Sequence, residues 1–172
     1  MNFEIVKRKL SESEVKLLVS AVKKTPNITG HTQKEWLGFG EVLVGEVNRK
    51  LAGVSCIIDL GHNWVEIGAL FVFDKYRGIG LGKALVKKAF AISEENESNI
   101  YMVSRNPIVI EMMRREKMFL TQNLFKLPLV IQRHNLKLIF NLYRIFEFFR
   151  KMVKFKHETG LTYGLKPFPD GD

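Results

Sequence analysis

The sequence predicts a single α/β (α+β) domain, a mixed and mostly antiparallel sheet flanked by helices, and three observations predict it. The first half alternates like strands joined by short turns. The middle passes through strand, helix, strand and helix, and three alternating glycines link the first of those strands to its helix. With 172 residues, 46% of them hydrophobic and 13 of them Phe, the chain can bury one real core, which excludes a largely disordered protein.

Residues 2–10 alternate charged and apolar side chains as a strand does. Ser11 and Glu14 have capping-box spacing ahead of Val15, Leu17, Leu18 and Val22, so a helix follows. Residues 25–40, with Pro26, Gly30, Gly38 and Gly40, form a loop holding a short helix near residues 33–37. A hairpin comes next, from residues 41–47 through a turn at 48–50 to residues 51–59. The turn Gly61, His62, Asn63 leads into a third strand, residues 64–73. Residues 83–93 have helical spacing, 99–104 form a short strand, and Pro107 opens a helix over 107–117.

Residues 129–155 predict a long amphipathic helix near the C-terminus. Arg133, Lys137, Arg144, Glu147 and Lys151 line one stripe, and Leu136, Phe140, Tyr143, Phe146 and Phe149 lie around it. An apolar face this wide calls for burial, on the domain or in a homodimer, with Phe146 and Phe149 covered and Arg144 and Lys151 in water. Peripheral contact with a membrane surface is the next reading; beyond net charge there is no clear nucleic-acid signal.

A formal charge of +9 favours acidic partners without choosing among nucleic acid, anionic lipid and a phosphorylated ligand. The single cysteine, Cys56, stands in an apolar strand run, where it is a core residue. The histidines show no metal spacing; His134 and His157 stand apart, so no metal is expected. Residues 1–10 lack the unbroken apolar run of a signal peptide, so a cytoplasmic location is expected.

The chemistry-bearing segment is the turn Arg77, Gly78, Ile79, Gly80, Leu81, Gly82, Lys83. Glycines let successive N–H groups converge, and the following helix adds the positive end of its dipole, so the turn suits a phosphate. A nucleoside triphosphate loop would need Gly at Arg77 and Ser or Thr at Ala84, and a dinucleotide fingerprint would need Gly at Lys83. Neither is met.

The turn is similar to the signature of the GCN5-related N-acetyltransferase (GNAT) superfamily, Arg or Gln, two residues, Gly, one residue, Gly or Ala, matched here by Arg77, Gly80 and Gly82. The resemblance implies a GNAT-like fold whose usual closing pair of strands would be residues 118–127 and 157–166, with the 129–155 helix inserted between them before the last strand. It also implies transfer of an acetyl group from acetyl-CoA (coenzyme A) to a primary amine of an unidentified small molecule or peptide. It implies that backbone groups of Leu70, Phe71 and Val72 receive the pantetheine arm, and that the N–H groups from Arg77 to Lys83 hold the pyrophosphate. Asn106 matches an asparagine that contacts the cofactor, although Asn before Pro107 also suits a helix cap.

Glu66, on the strand before the turn, resembles the glutamate that serves some members as general base. Alternation puts Glu66 on one face with Trp64, Gly68 and Leu70, where partial burial makes a carboxylate a better proton acceptor; an exposed strand-end carboxylate is the plainer alternative. The tyrosine that many members use as general acid falls here on Met113, which has no proton to give. Tyr101, Tyr76, Ser104 and Tyr163 are the substitutes, with Tyr101 the one selected. Two rival functions remain: a CoA-binding regulatory module that has lost catalysis, and an adaptor that uses the basic helix on a membrane surface or nucleic acid.

Overall fold

A computed structural model describes residues 2–25, 31–139, 146, 150 and 160–169. In chain order the elements are β1 (Glu4–Lys9), α1 (Glu12–Lys23), α2 (Gln33–Gly38), β2 (Glu41–Val47), β3 (Lys50–Gly61), β4 (Trp64–Val72), α3 (Leu81–Glu95), β5 (Asn99–Ser104), α4 (Pro107–Arg115), β6 (Phe119–Thr121), α5 (Leu129–Ile139) and β7 (Thr162–Lys166). The strands form one mixed sheet in the order β1-β2-β3-β4-β5-β7-β6. β4 and β5 run parallel, whereas β1 with β2, β2 with β3, β5 with β7 and β6 with β7 run antiparallel.

Local chemistry sets these boundaries. The Ser11 hydroxyl accepts from the Glu14 N–H, and the Glu14 carboxylate accepts from the Ser11 N–H at 2.9 Å, so the predicted capping box starts α1. Thr32 and Glu35 make a second box that starts α2. Both hairpin turns place two consecutive residues at positive φ, Asn48 and Arg49 in one, His62 and Asn63 in the other. Turns of that kind match the twist of the strands they join.

Contacts within the chain gather into two compact units. The first comprises residues 1–58 and 67–92, the second residues 59–66 and 93–172. In the first, Leu18, Val22, Trp36, Val44, Val54 and Phe71 pack together, with Cys56 buried among them as expected. In the second, Tyr101, Leu127, Ile131, Tyr163 and Leu165 form the core.

The closing strands are shorter than residues 118–127 and 157–166 suggest. β6 holds three residues, paired Phe119 to Leu165 through Thr121 to Tyr163, and a 3-10 turn at Leu124–Lys126 ends that stretch. The helix expected over 129–155 begins at Leu129 and is described to Ile139; most of residues 140–159 lie outside the described residues. Phe146 is helical and 66% exposed in the single chain, so among the described residues the domain does not cover it; the expected cover in a homodimer is a separate matter. Phe149, Arg144 and Lys151 lie outside the described residues. Among the described residues no helix is long and apolar enough to cross a membrane, and no three His, Cys, Asp or Glu side chains gather to hold a metal.

Candidate active site

The glycine turn belongs to the first unit and runs from Arg77 into the first turn of α3. Gly78 and Gly80 have φ of 83° and 87°, left-handed values that explain glycine at both positions. The Ala84 N–H donates to the Gly80 carbonyl at 3.0 Å, which closes the first helical turn and leaves the N–H groups just ahead of it without intrahelical acceptors. A Cβ built at Gly78 or Gly80 would meet nothing within 4 Å, so the flank of the turn is open.

Gly82 differs from its neighbours. Its φ is not positive, and a Cβ there would find its nearest neighbour, the Val72 Cγ2, at an ordinary 3.6 Å. The fold therefore tolerates Ala at this position, as the signature does.

Two more glycines seat the turn. Gly45 on β2 and Gly53 on β3 face each other in register, and the Leu81 side chain lies across both. A Cβ at Gly45 would stand 2.5 Å from the Leu81 Cδ1, and one at Gly53 would stand 2.8 Å from the Phe71 carbonyl oxygen and 3.3 Å from the Leu81 Cδ2. The hollow left by two missing side chains thus fixes the start of α3 on the sheet. Arg77 and Lys83 are exposed; the Arg77 guanidinium is paired with Asp74 at 2.8 Å, a surface contact weak enough for a ligand to displace.

The parallel pairing of β4 with β5 covers Trp64–Glu66 opposite Asn99–Tyr101 and ends there. Further along β4, Ala69 has φ of 51°, which costs a residue with a Cβ roughly 1–2 kcal/mol. The strict alternation assumed from Trp64 to Leu70 does not survive that residue, so the backbone of Leu70, Phe71 and Val72 is re-aimed.

Glu66 and Tyr101, both in the second unit, are register partners on neighbouring strands. The Glu66 side chain is only 12% exposed, and the His134 Nε2 of α5 lies 2.9 Å from its Oε2. Partial burial is as expected; the histidine partner is new. Tyr101 is fully buried, and its hydroxyl is within 3.2 Å of both amide atoms of Asn135, the next residue of α5. Burial raises its pKa well above the ordinary tyrosine value, so the hydroxyl stays protonated but is a weak acid.

The other candidate donors are also packed away: Tyr76 is buried, and Tyr163, stacked on Tyr101, is pushed up by burial. Ser104 is buried and accepts from the Asn106 N–H at 3.0 Å. Asn106 caps α4, its Oδ1 accepting from the Ile108 N–H at 2.9 Å, which leaves its NH2 group to donate elsewhere. Met113 is fully buried, its sulfur close over Gly164 of β7.

His134 and Asn135 escaped the sequence reading, which tested the histidines only for metal spacing. The available signal was local: they stand three and four residues after the buried Ile131, hence on its face of the helix.

The chain belongs to the acetyltransferase (GNAT) family, whose model matches residues 15–116, more than half of it. Solved structures share the fold at low identity. Rv2747 from Mycobacterium tuberculosis, in complex with CoA and NLQ, is 15% identical with a TM-score of 0.67, covering 95% of this chain and 99% of its own. N-acetylglutamate synthase from Neisseria gonorrhoeae, complexed with coenzyme A and N-acetyl-glutamate, is 12% identical with a TM-score of 0.67; the match covers 96% of this chain but 35% of the synthase. Ard1 from Thermoplasma volcanium is 16% identical with a TM-score of 0.59, over 70% of this chain and 85% of its own. No curated protein sequence matches the chain significantly.

Proposed function

We propose that this protein is an N-acetyltransferase that moves an acetyl group from acetyl-CoA to a primary amine. The observation that carries the reading is the open glycine turn at the start of α3, with left-handed Gly78 and Gly80 and N–H groups that have no intrahelical acceptor. Its N–H groups fit a pyrophosphate, and Arg77 and Lys83 add positive charge beside it. Bound acetyl-CoA would supply the acetyl group already activated as a thioester.

In this reading the re-aimed backbone of Leu70, Phe71 and Val72 receives the pantetheine arm, and an N–H of that stretch stabilises the oxyanion. The NH2 group of Asn106 donates to the cofactor while its Oδ1 caps α4. Glu66 accepts the proton that the amine gives up. Tyr101 is the proton donor retained here, and the Met113 position supplies none. With a thiol of pKa about 8.5 as leaving group, a weak donor is tolerable.

Calorimetry with acetyl-CoA, and native mass spectrometry for CoA that co-purifies, test the binding. Thiol release with L-glutamate, spermidine and a peptide with a free N-terminus tests the transfer; L-glutamate is included because one fold neighbour binds N-acetyl-glutamate. Glu66→Gln should lower turnover about a hundredfold with acetyl-CoA affinity unchanged. Absence of acetyl-CoA binding would refute the proposal. Binding without turnover on any amine would favour the second reading, a CoA-binding regulatory module, which the proton-less Met113 supports.

A further inference from the structure

Two consecutive residues of α5 contact the two side chains to which the acid-base roles fall. His134 meets Glu66 at 2.9 Å, and Asn135 meets the Tyr101 hydroxyl at 3.1 and 3.2 Å. Glu66 and Tyr101 stand opposite each other on β4 and β5, so their side chains share a face of the sheet, and α5 lies on it. Ile131, fully buried one turn earlier in the core that holds Tyr101, anchors the helix there. A slip of one residue along the helix axis, about 1.5 Å, would break both contacts. This helix lies beyond residues 15–116, which the family model matches.

We propose that His134 is a positioning residue for the general base: its Nε2–H donates to the Glu66 Oε2 and leaves Oε1 as the atom that takes the proton from the amine. The inference rests on Glu66 being the base. Rotation of a carboxylate about its last bond is soft, so a lone, partly buried Glu presents either oxygen in many directions. A charge-assisted hydrogen bond from a helix fixed by its own core residue removes that freedom, and a base gains rate from being held within hydrogen-bond reach of its proton. The amine's lone pair forms the new bond to the acetyl carbon, its proton passes to Oε1, and the electrons of the broken thioester bond leave with sulfur. The hydrogen bond on Oε2 persists throughout.

Long-range proton–nitrogen NMR on protein carrying 15N-histidine gives the first readout, without any acceptor. His134 should be protonated at Nε2, and Glu66→Gln should shift that nitrogen; a bare Nε2 in the wild type overturns the proposal. Thiol release with the amines above gives the second. His134→Ala should lower kcat about 10- to 100-fold with KM for acetyl-CoA unchanged. His134→Gln, which keeps an N–H donor at similar reach, should recover most of the rate, and thermal melts on both variants separate this from loss of fold. In a Glu66→Gln background His134→Ala should have no further effect. An independent, multiplicative loss there, or a wild-type kcat for His134→Ala while Glu66→Gln is impaired, overturns the positioning role alone. Full activity of Glu66→Gln overturns the base assignment and the positioning role together.

Discussion

Gly80 and Gly82, two residues apart in the same turn, should respond to the same substitution in opposite ways. Gly80 has φ of 87°, so Ala there must either hold a conformation unfavourable by roughly 1–2 kcal/mol or rotate to negative φ and swing its own N–H away from the helix start. Space is not the obstacle, because a Cβ at Gly80 meets nothing within 4 Å. For a chain of this length about 1–2 kcal/mol lowers Tm by roughly 2–8 °C. If the turn holds pyrophosphate, losing one or two charge-assisted hydrogen bonds weakens acetyl-CoA binding by about tenfold or more. At Gly82 the Cβ has room, with its nearest contact at 3.6 Å, and Ala is a better helix former than Gly. Gly82→Ala should therefore leave Tm unchanged or raised and affinity within about threefold of wild type. Melting curves and calorimetry with acetyl-CoA measure both quantities. Equal behaviour of the two variants, or a Gly80→Ala protein with wild-type affinity, would refute the argument from backbone conformation.

Gly53→Ala forces a Cβ to 2.8 Å from the Phe71 carbonyl oxygen, which cannot yield as a side-chain end can; denaturant melts should show a loss of about 1–2 kcal/mol. Met113→Tyr should not restore a proton donor: the site is fully buried against Gly164, so the variant should lose about 1–3 kcal/mol in the same melts and gain no turnover in thiol release. Hydrogen bonding to Arg8 holds the Glu14 carboxyl down at about 2, against an ordinary 4.5. A lowered folded-state pKa stabilises above the unfolded value, so this contribution should be complete above about pH 4.5 and vanish as pH falls towards 2. Screening at the surface reduces it to about 1–2 kcal/mol, and melts of wild type and Glu14→Gln from pH 7 to 2 should converge at the acid end.

Much of this fold is legible in the sequence because its signals are local. The capping box of Ser11 and Glu14, the paired turn residues at 48–49 and 62–63, and Pro107 behind Asn106 each fix an element boundary through neighbouring residues alone. β5 occupies the six residues its apolar run predicts, and the glycine signature locates the turn that opens α3. What the sequence hides is non-local or runs against propensity. Nothing in an apolar run announces that Ala69 bends back to positive φ. Periodicity marks Phe146 as part of an apolar face but does not say what covers that face, and in the single chain the side chain is exposed. The contact of His134 with Glu66 joins residues 68 positions apart, and only the folded sheet brings α5 to them.

The hollow made by Gly45 and Gly53 has a consequence for how a ligand is met. Leu81 fills it from the first turn of α3, so the helix start is already locked to β2 and β3 in the free protein. The loop is in that sense preorganised, and its conformational entropy is lost during folding, not at the moment of association. Affinity for an anion at this turn should accordingly depend little on loop ordering, and a larger residue at position 45 should weaken it by loosening the loop while every donor remains in place.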